Sequence, residues 1–88
     1  MFEDALIAWD DEDDPNGNVQ HIERNDISTE EFESILTNNS SRRGRSRSSG
    51  RQTAWGDLPD GREIVIVYEI ESINPLVIRP VTAYEPED

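Results

Sequence analysis

The chain holds one histidine, His21, and neither cysteine nor lysine, so the residues able to do chemistry are few. A lone imidazole without a thiolate or second histidine makes no zinc site. It can still move a proton near neutral pH, although a single histidine beside apolar neighbours is more often structural. Serine is plentiful, but no Gly-x-Ser-x-Gly turn activates one, and the glycine patterns of phosphate-cradling loops are missing. Two denser constellations remain. Glu12, Asp14, Asn16, Gly17, Asn18, Val19, Gln20 and Glu23 fall on positions 1, 3, 5, 6, 7, 8, 9 and 12 of an EF-hand calcium loop. The glycine and the final glutamate fit. Glutamate at the first position and Pro15 at the fourth do not, so the competing reading is a solvated acidic turn. The second constellation is Ser40–Gly50, built almost entirely from serine, arginine and glycine. Its guanidinium groups suit phosphate contact or docking onto the acidic N-terminal face. Its serines are able to accept phosphate, which reverses the charge. Its composition alone predicts a flexible connector.

Charge decides which partners such groups can reach. The net charge is −12 over 88 residues. Residues 1–39 carry 12 acids against Arg24, residues 40–62 carry six arginines against Asp57 and Asp60, and residues 63–88 carry six acids against Arg79. A field of this sign repels nucleic acid and anionic membrane. RNA contact therefore has to run through the arginine patch, whereas a basic protein is attracted everywhere else. The length allows one small domain, with residues 85–88 as an acidic tail. No apolar run approaches the ~20 residues that span a bilayer, and the N-terminus lacks a signal-peptide pattern. A cytoplasmic protein that avoids membranes is expected, and no cofactor or metal is implied.

The elements that position these groups follow from spacing. Residues 2–9 read two ways: Phe2, Ala5, Leu6 and Trp9 have helical spacing, but the acidic run after Leu6-Ile7-Ala8-Trp9 is a poor helix end and favours an edge strand. Asp10–Asn18 reads as a turn-rich acidic loop and Val19–Arg24 as a short helix. Ser28 with Glu31 forms a capping box, and Ile27 with Phe32 a hydrophobic staple. These begin a helix whose buried stripe is Phe32, Ile35 and Leu36, ending at Asn38-Asn39-Ser40. Gln52–Leu58 follows as a strand, Leu58-Pro59-Asp60-Gly61 as a hairpin turn, and Glu63–Glu71 as a near-continuously apolar central strand. Leu76–Ala83 makes the last strand, with Pro80 favouring an edge or a bulge. The expected fold is α+β: two short helices packed on a three- to four-stranded antiparallel sheet.

Read in order, the chain resembles BrnT, the ribonuclease toxin of a bacterial type II toxin–antitoxin pair. Trp9-Asp10, Ile27-Ser28 with Glu30-Glu31, Gly50-Arg51, Gly61-Arg62 before Ile64–Glu69, and Val81-Thr82-Ala83-Tyr84 stand at matching places over about 75 residues. The resemblance implies a RelE-like fold, metal-free RNA cleavage and an antitoxin partner. The departures fall on the chemistry. Arg24-Asn25-Asp26 replaces the family's Lys-His-Gly, Tyr84 replaces an arginine, and the basic C-terminal helix becomes Glu85-Pro86-Glu87-Asp88. What the resemblance leaves as candidate catalytic residues is His21 for proton transfer, Arg51 and Arg62 for phosphate, and Tyr84 for base stacking or proton donation. A toxin-like scaffold with weak or absent ribonuclease activity is expected. The alternative is a non-catalytic protein-interaction module that uses its acidic face.

Overall fold

The computed structural model describes residues 4–38 and 40–86. Its elements are β1 (Leu6–Ile7), α1 (Asn18–Glu23), α2 (Thr29–Thr37), β2 (Arg42–Arg45), β3 (Gln52–Asp57), β4 (Glu63–Ile73) and β5 (Leu76–Tyr84). The architecture is α+β, with two helices on one face of a five-stranded sheet in the order β1-β5-β4-β3-β2. β4 is the central strand, as its apolar run implies. Among the described residues no helix is long and apolar enough to cross a membrane.

The sheet differs from the expected three or four antiparallel strands in two ways. β1 pairs with β5 in parallel, which makes the sheet mixed. In addition, Arg42–Arg45, within the segment expected to be a flexible connector, pairs with β3 in register Arg43↔Ala54. Backbone hydrogen bonds carry no side-chain signature, so a run of arginine and glycine can complete a ladder that hydropathy does not reveal. The rest of that segment is a turn closed by Ser46 N donating to Arg51 O at 2.8 Å. Phe2, Asn39, Glu87 and Asp88, to which the expected strand, helix end and acidic tail extend, lie outside the described residues.

α2 forms where its grammar places it. The Ser28 hydroxyl accepts from Glu31 N at 3.1 Å, and Glu31 Oε1 accepts from Ser28 N at 2.9 Å. This reciprocal cap satisfies two otherwise orphaned donors. Phe32, Ile35 and Leu36 then point inward, each at most 1% exposed. They meet Ala54, Ile64, Ile66, Tyr68, Ile78 and Ala83 from the sheet. Trp9 closes the edge of this core, its ring edge-on to Phe32 with centroids 5.2 Å apart.

α1 ends in a left-handed cap. Ile27 N reaches back to Ile22 O at 3.2 Å and Asp26 N to Glu23 O at 3.0 Å, with Asp26 at φ 65°. Glycine is the usual occupant of such a position because a Cβ is penalised there. Asp26→Gly is therefore expected to stabilise the fold by about 1 kcal/mol, measured as a higher urea midpoint at unchanged slope.

Pro80 sits opposite Tyr68 beside a register shift at Val67/Tyr68. The bulge, with β1 pairing ending at Ile78, leaves no ladder bond for the missing amide to break, so β5 tolerates a proline there. At the β3–β4 turn, Gly61 takes φ 94° while its N–H donates to Leu58 O at 2.9 Å.

Candidate functional site

The two faces of the sheet are chemically distinct. Arg43, Ala54, Ile66 and Ala83 form one rank across four strands on the helix-covered side. The neighbouring rank is Arg42, Trp55, Val65 and Tyr84, which alternation places on the helix-free side. Gly44, Thr53, Val67 and Thr82 share that side. At one end of it, Asp57 stands directly opposite Glu63. At the other, Arg51 meets Glu69, with Nε and Oε1 3.5 Å apart.

The four candidate catalytic residues occupy different places. His21 is exposed on α1 above a shallow groove of about 210 Å³ that also involves Asp10, Glu69 and Arg79. Arg51 borders a second groove with Tyr68 and Ile70. Arg62 lies in a third, beside Asp26, Ser28 and Glu31. Tyr84 is 42% exposed at the end of β5.

Arg62 is consumed by structure. It donates to Asp60 Oδ2 at 2.9 Å and to Asp26 O at 2.9 Å, and it pairs with the capping carboxylate of Glu31. The guanidinium thus pins the β3–β4 turn to the end of α1 and the start of α2. The Asp60 hydrogen bond holds the Arg62 pKa above its usual value, and the Arg62 backbone and side chain hold the Asp60 carboxyl below its own. Arg43 is also structural: Nη2 donates to Leu36 O at 2.8 Å. That contact answers a last-turn carbonyl of α2, whose final turn contains no basic residue of its own.

A buried polar knot lies beside His21. Asn18, only 6% exposed, accepts from Asp10 N at 2.8 Å and donates to Pro80 O at 3.0 Å and Ala8 O at 3.2 Å. Asp10 returns the contact by accepting from Asn18 N at 2.9 Å, and Arg79 Nη2 donates to both Asp10 oxygens at 3.0 Å. Gly17 permits this approach, because a Cβ there would come within 2.8 Å of Asp10 Cβ. The knot locks β1 and α1 onto β5. A calcium loop would instead turn the Asn18 backbone carbonyl, at its seventh position, toward the ion. α1 already begins at Asn18, and Asp14 Oδ1 accepts from Asn16 N at 2.9 Å. Among the described residues, no group of three or more histidine or acidic side chains is placed to hold a metal ion.

The Asn18 backbone N–H, followed by Arg79, lowers the Asp10 pKa below its ordinary value near 3.8. A carboxylate depressed on folding contributes stability that is complete above the unfolded pKa. That stability fades as pH falls through the folded one. Acid unfolding below about pH 4 is therefore expected to be less pH-dependent in Asp10→Asn than in wild type, measured by urea midpoints between about pH 5 and 2. An unchanged slope would deny Asp10 this role.

Sequence reasoning singled out neither Asn18 as a buried bridge nor the open rank of Trp55, Val65 and Tyr84. Strand alternation offered a signal for the second. Nothing in the sequence marked the first. Compared with protein-family models, curated proteins and solved structures, the chain finds no match in any of the three.

Proposed function

We propose that this chain is a non-catalytic protein-interaction module on a toxin-like scaffold, recognising a basic protein partner such as an antitoxin. The observation that carries the reading is the state of its cations. Arg62 and Arg51 are paired with carboxylates of the chain itself, while Asp11, Glu12, Asp13, Asp14, Glu23 and Glu30 face solvent. Cleavage of RNA without a metal needs cations and a proton-transfer group converging on one phosphate. His21, Arg51 and Arg62 line three different grooves, the first two sharing Glu69, and both arginines are tied to carboxylates of the chain. An exposed acidic face instead steers a basic protein and sets its orientation.

Two features favour the toxin-like, RelE-like scaffold beneath this activity. The chain runs strand, two helices, then a meander, with the helices on one face. Moreover Asp26, the residue standing where the resembled family carries glycine, is the one with the left-handed backbone that glycine prefers.

RNA binding without cleavage is the second reading. It rests on Arg42, which lacks an ion-pair partner among the described residues and shares its rank with Trp55 and Tyr84, and on Arg45 and Arg47 farther along the same edge. Bases stack on such aromatic faces while arginines contact phosphate. One experiment separates the readings. Wild type and Arg51→Ala are incubated with mixed-sequence single-stranded RNA and, in parallel, with a lysine-rich peptide. The expected result is intact RNA in both samples and salt-sensitive binding of the peptide. Cleavage by wild type that Arg51→Ala abolishes would overturn the module reading. Binding of RNA alone, with steep salt dependence, would install the second.

A further inference from the structure

A groove of about 250 Å³ opens at the outer corner of the sheet, lined by Ser41, Arg42, Trp55, Asp57 and Glu63. Two features of it are unresolved within the chain. Asp57 and Glu63 are exposed like charges directly opposite each other on β3 and β4, a cross-strand arrangement that destabilises a sheet unless a cation joins it. The Trp55 indole N–H donates to no described residue, although Trp9 donates its own to Glu33 at 2.7 Å. Arg42 lines the same groove yet pairs with neither carboxylate. The three charges are therefore not an internal salt bridge.

We propose that this groove receives a single arginine side chain of a basic partner. A planar guanidinium stacks on the face of an indole and presents a fork of donors to neighbouring carboxylates. Here the indole is Trp55 and the carboxylates are Asp57 and Glu63, which the register sets one step along the same sheet face. Arg42, on the edge strand, repels a second cation and so limits the groove to one basic residue. The inference rests on the basic-partner reading above and deepens it by naming the contact.

The test is a titration of the full ¹⁵N-labelled chain with N-acetyl-arginine methylamide, followed through the two indole signals. The Trp55 indole is expected to move with saturation while that of Trp9 stays. The double variant Asp57→Asn/Glu63→Gln, which only removes exposed charge, is expected to weaken binding about fivefold. Arg42→Ala is expected to tighten it. Equal binding of the lysine analogue overturns the arginine assignment. Shifts confined to residues 10–14, with Trp55 unmoved, overturn the groove and leave the basic-partner reading standing. No response to this compound or to the lysine-rich peptide overturns both.

Discussion

Phe32→Ala is expected to remove about 4 kcal/mol of folding stability. Phe32 is fully buried where α2 crosses the sheet, and its ring is the one on which Trp9 packs edge-on. Truncation loses the transfer energy of the ring, opens a cavity among Ile22, Ile35 and Ile66, and dissolves an aromatic pair worth about 1 kcal/mol. A domain of this size holds only on the order of 5–10 kcal/mol in reserve. Urea unfolding followed by tryptophan fluorescence, to which Trp9 and Trp55 both contribute, measures the loss. Ser28→Ala, which removes only the helix cap, serves as an internal scale at about 1 kcal/mol. A Phe32→Ala loss no larger than that would mean the helix layer is not seated on the sheet.

Asn18→Leu is expected to cost about 3 kcal/mol or more, although the substitution is apolar and similar in size. The cost comes from what is left behind. Asp10 N loses its acceptor, and the carbonyls of Pro80 and Ala8 lose their donor in a region that water reaches poorly. Each orphaned buried group carries a penalty of about 1–3 kcal/mol. Hydrogen exchange distinguishes this from general loosening. The Asp10 amide is expected to lose its protection first, while the amide of Ile66 in the central strand exchanges only with global unfolding. Uniform loss of protection in both would place Asn18 in the core cooperative unit rather than in a local clasp.

How much of this arrangement a reader of the residues could have seen varies with the range of the interaction. The capping box, the inward stripe of Phe32, Ile35 and Leu36, the turn at Gly61 and the bulge at Pro80 are local events. Their causes lie within a few residues and leave marks in spacing and residue type. The three late strands were visible for the same reason. β1 was visible as a strand but not as a parallel partner of β5, because its pairing is set by a residue 71 positions away, Leu6 against Val77. β2 was hidden. Its four residues bury no apolar face, and the pattern that reveals strands is a pattern of burial.

The candidate site was legible in type and not in place. Residue identity and chain order nominated His21, Arg51, Arg62 and Tyr84, but guanidinium chemistry serves anchoring as readily as recognition. Arg62 and Arg43 became anchors because the turn and the edge strand bring them against Glu31 and Leu36 O. Their sequence neighbours Gly61 and Arg42 give no hint of this.

From the amino-acid order alone came the helices, the strand run, the apolar stripe and the lopsided charge, since each depends on neighbours along the chain. Folding in three dimensions decided which carboxylate faces which arginine and that an asparagine joins β1 to β5. It also left one sheet face with Trp55, Val65 and Tyr84 free of helices. Those outcomes depend on distances between residues far apart in sequence, set only when the sheet closes and the helices settle on one side.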